Sequence, residues 1–324
     1  MPQNTQMDHT RLGNSGLKIS KIILGGMSYG SGKWQDWVLD EENALPLIEH
    51  AYKLGINTWD TADVYSHGYS EELFGKALKK FAIPRSRVVI LTKCFFAVDA
   101  ENMSTITASG VNDADKVNQA GLSRKHIFDA VDASVERLGT YIDVLQIHRL
   151  DRDTPREEIM RALNDVVSSG KVRYIGASNI SAWKFQALQS VAIRNGWHQF
   201  ISVQNQYNLL ERRDEHEMVP YCLGSGIGLI PWAPLARGVL ARPWSCRDTL
   251  REKTDDARVE DIVERKGITM AQVALAWLLS HPGTNPIVGM NTKERIDEAV
   301  ASISISLSEE EVAYLEEPYV HKRL

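Results

Sequence analysis

The sequence predicts an α/β fold, a (β/α)8 TIM barrel with long loops after strands 3 and 7 and a C-terminal tail. Three observations carry this. Eight short runs rich in Ile and Val recur along the chain, mostly without polar alternation, as strands covered on both faces should be. Amphipathic stretches with capping residues at their starts separate the runs. The chain has 324 residues, 43% of them hydrophobic, and shows no linker-like break. Residues 1–324 therefore read as a single barrel domain. An open doubly wound sheet is the competing arrangement, and eight uninterrupted units disfavour it.

After a short opening segment, strands are expected at KIILG (21–25), INTWD (56–60), RVVILTK (87–93) and YIDVLQIH (141–148). Four more follow at KVRYIGAS (171–178), FISVQ (200–204), IGLIPW (227–232) and NPIVG (285–289). Ser70, Ser123, Pro155, Ser181, Asp214 and Thr269 mark helix starts. Gly55, Gly139, Gly170, Gly196 and Gly226 mark helix ends. Three segments break the rhythm, at 94–122, 233–268 and 304–324. The last contains a short helix, SEEEVAYLEE, capped by Ser308 and stopped near Pro318. Segments that follow barrel strands gather on the C-terminal face, where sites are built.

Bulk properties narrow the function. The formal net charge is -5 and the pI is about 6.0. Lys and Arg nowhere form a cluster of five, so a nucleic-acid partner is not expected. Cys94, Cys222 and Cys246 are far apart and form no CxxC pair. That argues against zinc and against a disulfide framework, and for reduced thiols. The opening MPQNTQMDHT lacks the apolar stretch of a secretory signal, and no apolar run approaches the ~18 residues of a membrane span. The ending HKRL departs from the S-K-L address at Lys322. A cytoplasmic protein without a membrane partner is expected.

The chemistry lies at the strand ends, which in a barrel face one mouth. The second strand ends at Asp60, the third at Lys93 and the fourth at His148, and Tyr65 follows the second strand directly. A free phenol titrates near ~10 and is a poor acid at neutrality. A neighbouring ammonium favours the phenolate and lowers that value. An aspartate paired with the lysine keeps it charged and in place. The imidazole can orient a substrate oxygen. Such a set can protonate a carbonyl oxygen as hydride reaches its carbon. Taken singly, each residue has a plainer reading: a structural salt bridge, a satisfied histidine. His67 reads as a solvated loop residue. Asp151 and Asp153, just past the fourth strand, offer only weak support for a hydrolase with paired carboxylates.

Other cofactor and metal signals fail. "LGGMSYGSG" and "LGSGIGL" do not complete G-x-G-x-x-G between a strand and a helix with an acid about 20 residues on. HExxH and close His-x-His pairs are missing, so no metal is expected.

The residues resemble the aldo-keto reductases. The matches are "DTADVYSHGYSEELFGKAL", "ILTK" at 90–93, "GTYIDVLQIHRLD" at 139–151, "GKVRYIGASN" at 170–179, "SVQNQYNLL" at 202–210 and "PWAPLARGVL" at 231–240. They fall in family order and cover the chain from about Arg11 to Pro318. Among subgroups, the chain looks most like fungal reductases of the versiconal hemiacetal acetate reductase type. The resemblance implies NADPH-dependent reduction of an aldehyde or ketone to an alcohol, with Asp60, Tyr65, Lys93 and His148 as the catalytic tetrad. It implies that Ser178, Asn179 and Gln204 hold the nicotinamide carboxamide and that Trp232 stacks on its ring. Leu235, Arg237 and Gly238 would line the pyrophosphate. Arg295 would hold the 2′-phosphate or adenine, and Gly25, Gly26 and Met27 would lie beside the nicotinamide. Two positions depart from the pattern. Gly289 and Met290 stand about where many members carry a lysine for the 2′-phosphate, and Ala299 about where an adenine-contacting asparagine is common. NADH therefore stays open beside NADPH. An alternative within the same fold is a regulatory subunit that binds NADPH with little turnover, like the family's potassium-channel β subunits. Tyr29, Trp34 and Phe95, with Trp37, Phe96 and Tyr207, are candidates for the pocket mouth and suggest a bulky or aromatic carbonyl substrate. The sequence does not fix the oligomeric state or the physiological direction.

Overall fold

The computed structural model describes residues 7–103, 116–242 and 257–320. Cys246 and the HKRL ending lie outside these residues, as do parts of both long loops. The first two strands, β1 (His9–Arg11) and β2 (Lys18–Ser20), form an antiparallel hairpin that the sequence reading left as an opening segment. Eight parallel strands follow: β3 (Ile23–Gly25), β4 (Thr58–Asp60), β5 (Val89–Cys94), β6 (Ile142–Ile147), β7 (Val172–Ser178), β8 (Phe200–Gln204), β9 (Gly228–Leu229) and β10 (Ile287–Val288). Each lies inside an expected run except β5, which extends one residue beyond its run to Cys94. Neighbours pair in chain order, and β10 returns to pair with β3. Backbone N–H groups of Asn285 and Ile287 donate to the carbonyls of Leu229 and Pro231, which closes the ring between β9 and β10.

The helices are α1 (Glu41–Lys53), α2 (Tyr69–Lys80), α3 (Arg124–Leu138), α4 (Arg156–Ser168), α5 (Ala182–Asn195), α6 (Met218–Ser225), α7 (Ala257–Lys266), α8 (Met270–Ser280), α9 (Lys293–Ala301) and α10 (Glu309–Glu316). Ser123, Thr269 and Ser308 accept from the backbone three residues on, as caps should. Two expected starts shift. Ser70 sits inside α2, where its hydroxyl donates to the Gly26 carbonyl and accepts from Thr61. Asp214 precedes α6 and accepts from the Asn205 side chain instead. Helix α7 lies within the 233–268 segment, which the sequence reading left without a helix.

Strand alternation sorts the core into two layers. Ile23, Val89, Leu91, Val144, Ile230 and Ile287 point into the barrel, and Leu12 and Ile19 of the hairpin pack with them. The hairpin thus plugs one end of the barrel. Ile22, Leu24, Ile90, Leu145, Ile147 and Ile175 point outward and pack in the main core against the helices. The period of two then places the inward-facing positions further along each strand at the opposite end. These are Asp60 after Thr58, Lys93 after Leu91, and Gln146 and His148 after Val144. Polar residues can stand there because the hairpin has left that end open. Among the described residues, no helix is long and apolar enough to cross a membrane.

Candidate active site

Lys93 is 1% exposed, and its ammonium is fully engaged. Nζ donates to Asp60 Oδ2 at 2.6 Å, to the Thr61 carbonyl at 2.8 Å and to the Tyr65 hydroxyl at 3.2 Å. The ammonium also lies 4.8 Å from the Tyr65 ring centroid. The other oxygen of Asp60 accepts from Gln146 Nε2 at 3.1 Å and Gln204 Nε2 at 2.8 Å. The acid is therefore held from two sides, and its charge is compensated at once by the lysine and by two amides. Burial alone would pull the lysine down, but Asp60 and Tyr65 beside it leave its pKa raised, so the ammonium stays charged.

Tyr65 is half-buried at the edge of the mouth. The sequence reading expected Lys93 to lower its pKa. The net direction is the reverse: burial raises it, and Lys93 offsets only part of that. The phenol is thus protonated at neutral pH. His148 stands beside it, ring centroids 5.8 Å apart and nearly perpendicular. Burial, then the positive charges of Lys93 and Arg149, hold the imidazole well below its usual range. It is neutral, and its Nδ1 is buried with no partner among the described residues. We expect kcat/KM to show no histidine-type inflection between about pH 5 and 7. An inflection there that disappears in His148→Gln would contradict the neutral assignment.

The turn that presents Tyr65 has an uncommon backbone. Ser66, His67 and Gly68 all adopt positive φ, at 48°, 51° and 97°. Left-handed conformations are costly for side-chain-bearing residues, so Ser66 and His67 in succession need external support. Ser66 Oγ accepts from the Ser31 backbone, and His67 Nδ1 accepts from the Asp99 backbone at 3.0 Å. His67 is therefore a buried structural residue and not the solvated one expected from sequence. A Cβ on Gly68 would fall 2.5 Å from Arg137 Cδ. Arg137 in turn donates to the fully buried Glu71 at 2.6 Å, and Glu71 accepts from Thr92, the neighbour of Lys93. One buried ion pair so ties the Tyr65 turn, α2, α3 and β5 together.

The sequence reading missed Gln146, although a polar residue inside an apolar strand, two positions before His148, was its visible signal. It also missed Asp63, which is buried and whose carboxylate oxygens have no hydrogen-bond partner within bonding distance among the described residues. Burial, then the neighbouring Glu71, raise its pKa well above the usual carboxylate range. The folded state therefore holds this proton more tightly than the unfolded chain. Stability from this group is full at low pH and declines as pH rises from the ordinary carboxylate value toward the raised one. Asp63→Asn should raise Tm more at pH 8 than at pH 5. An equal shift at both pH values would refute this.

The other expected residues separate into groups. Ser178 Oγ donates to the Gln204 carbonyl, Asn179 Nδ2 to Ser178 Oγ, and Trp232 Nε1 to Asn179 Oδ1 at 3.0 Å. These four form one connected patch at the ends of β7, β8 and β9, although Gln204 spends its amide on Asp60. Leu235, Arg237 and Gly238 lie in a curled segment where Ala233, Ala236, Arg237 and Gly238 have positive φ. Arg237 is exposed, as is Arg295 at the start of α9, where Asn291 accepts from it. Gly25 ends β3, and Gly26 and Met27 follow it. Gly26 is needed for packing, since a Cβ would fall 2.8 Å from Phe74.

The pocket candidates need correction. Tyr29 is a core residue, 0% exposed, and its hydroxyl donates to the Met290 carbonyl at 2.5 Å. Tyr207 is buried too, packed on Trp277 and bound to Glu215. Trp34 does reach the site, 6.3 Å from the Tyr65 ring. Phe96 lies 5.2 Å from His148 and brings Phe95, 5.0 Å from it, only to the second layer. Among the described residues, no group of three or more metal-binding side chains occurs.

Comparison with known proteins agrees with this geometry. The family model described as "Aldo/keto reductase family" matches residues 21–319. A versiconal hemiacetal acetate reductase from Aspergillus parasiticus is 64% identical, with 98% of each chain covered. A putative aryl-alcohol dehydrogenase from Schizosaccharomyces pombe is 53% identical over 95% of this chain and 94% of its own. Another, from Saccharomyces cerevisiae, is 49% identical with 97% of each covered. An eight-stranded parallel barrel, an Asp–Lys–Tyr chain at its open end and a family match over nearly the whole length lead to one conclusion: the chain belongs to the aldo/keto reductase family.

Proposed function

We propose that the protein reduces an aldehyde or ketone to an alcohol with NADPH, and that Tyr65 gives the carbonyl oxygen its proton. The buried Asp60–Lys93–Tyr65 chain carries this reading. A nicotinamide cofactor, when bound, supplies hydride to the carbonyl carbon. The residues around the mouth fit such a group. Arg237 and Arg295 offer exposed cations for its phosphates. The curled backbone at 233–238 is of the kind that cradles phosphate oxygens. Trp232, its indole fixed by Asn179, offers a flat face to an aromatic ring.

The chain's own residues do the proton chemistry. Tyr65, protonated at rest, donates to the oxygen as negative charge develops there. Lys93 stabilises the phenolate left behind, at 3.2 Å, and Asp60 and the Thr61 carbonyl keep its ammonium in place. Neutral His148 adds no charge beside Lys93 and presents an N–H to the same oxygen. The rings of Trp34 and His148 beside the phenol, with Phe96 against His148, together with relatives whose names specify aryl alcohols, support an aromatic carbonyl substrate. The buried free thiols of Cys94 and Cys222 support a reducing, cytoplasmic setting.

The test is consumption of NADPH, and separately of NADH, with 4-nitrobenzaldehyde. We expect turnover with NADPH and slower turnover with NADH. Binding of NADPH without consumption, across a panel of aromatic aldehydes, would favour the regulatory reading and overturn this one.

A further inference from the structure

Behind the turn that presents Tyr65, the buried charges do not balance. Lys93 pairs with Asp60 and Arg137 with Glu71, each at 2.6 Å. Asp63 is the third acid of this cluster. It is 1% exposed, and its carboxylate oxygens have no hydrogen-bond partner within bonding distance among the described residues. Three carboxyl groups thus share two cations. A buried carboxylate without a partner is costly, so this position calls for a proton or for a third positive charge.

Asp63 also lines a cavity of about 150 Å³. One wall is the segment after β5, with Val98 and Asn118, and the other is α3, with Ala130 and Ala133. Asn118 is exposed at the rim, whereas Asp63 is buried, so the space leads from the surface to an acid. The other polar groups that line it are already engaged. Arg137 is bound to Glu71, Asp129 pairs with Lys125, and His126 Nδ1 bonds the Gly121 carbonyl. A water takes about 30 Å³ of liquid volume, so the cavity has room for a charged head and a short chain. A multivalent metal fits poorly, because no group of three metal-binding side chains occurs among the described residues.

We propose that this cavity is a second binding site, and that it takes a small primary ammonium ion whose N–H groups bond Asp63 and whose alkyl chain lies against Val98, Ala130 and Ala133. The site does not depend on the reductase reading, since none of its lining residues belongs to the proposed acid chain. Binding exchanges one cation for one proton. The Asp63 O–H bond breaks, its proton leaves to solvent, and the carboxylate left behind pairs with the ammonium. Without the cation, Asp63 holds that proton well above the ordinary carboxylate range: burial and then Glu71 raise its pKa, and Arg137, the Val64 backbone and Lys93 offset only part. Affinity should therefore grow as pH rises toward the raised value. Of the other groups facing Asp63, Cys94 and Tyr65 are kept neutral by burial. His126, pushed below its ordinary value by burial, gains charge only on the acid side. Asp63→Asn leaves His126 in place and so separates the two.

The experiment measures Tm of the full chain at pH 8 and pH 5 with about 20 mM propylammonium chloride, tetramethylammonium chloride or 1-propanol. Tetramethylammonium carries the charge without N–H donors, and 1-propanol carries the chain without the charge. At pH 8 we expect propylammonium to raise Tm by about 2–4 °C over both controls, and by less at pH 5. The rise should vanish in Asp63→Asn. It should vanish too in Ala133→Leu, which fills the cavity and leaves the acid in place. No rise at pH 8, an equal rise with either control, or a rise that survives Asp63→Asn would each overturn the site. An equal rise at both pH values would overturn the exchange with the Asp63 proton. Were Asp63→Asn to misfold, Ala133→Leu decides alone, and a rise that persists in it overturns the site.

Discussion

Tyr65→Phe is expected to lower kcat by about 10²–10⁴ while leaving the NADPH dissociation constant within a few-fold of wild type. The substitution removes one hydroxyl and keeps the ring that packs against Trp34 and His148. It leaves Lys93 with Asp60 and the Thr61 carbonyl as acceptors, so the ion pair survives. The loss therefore falls on the proton that must reach the carbonyl oxygen. Because burial raises the phenol's pKa, the wild-type hydroxyl is in its donating form across neutral pH, and the rate should not depend on a fraction of phenolate. Fluorescence titration with NADPH and steady-state rates with 4-nitrobenzaldehyde separate the two quantities. Activity within ten-fold of wild type would remove Tyr65 as the acid and turn attention to His148 or a bound water.

The parts of this site that were legible in the sequence share a physical cause. Asp60, Lys93 and His148 each continue the inward face of an apolar strand, and a polar residue on that face belongs at the open end. The period of two made them visible. Gln146 obeyed the same rule but was passed over, because an amide has no acid–base chemistry to draw attention. The Tyr65 turn was legible only as a position. Its left-handed Ser66 and His67 depend on Ser31, Asp99 and Arg137, which are remote in sequence, and no local pattern announces such support. Among the pocket aromatics, Tyr29 failed for a related reason. Tyr29 follows a strand exactly as a pocket residue would, yet an acceptor at Met290, across the β3–β10 pair, draws it into the core. The opening hairpin was unreadable because three-residue strands carry almost no periodicity.

Lys93→Met should be the most damaging change for the fold as well as for activity. It leaves Asp60, 2% exposed, without its counter-charge, and breaking one side of a buried pair costs about 3–5 kcal/mol. Gln146 and Gln204 still donate to the carboxylate and soften the loss without cancelling it. Met matches the lysine stem, so little of the cost comes from packing. The double variant Asp60→Asn/Lys93→Met then distinguishes the two roles of the pair. With no buried charge remaining, denaturant unfolding should recover at least half of the stability lost in the single variant. Activity should not recover, because Tyr65 still lacks the ammonium that receives its negative charge. The residual rate of both variants should rise at low pH less steeply than any carboxylate titration would require, since the acid is now an unassisted phenol. If the double variant regained activity along with stability, Lys93 would be a structural residue, and the proton chemistry would have to be assigned elsewhere in the mouth. If it regained neither, the amides of Gln146 and Gln204 would be the dominant constraint on Asp60, and the lysine's charge would matter less to the fold than its burial implies.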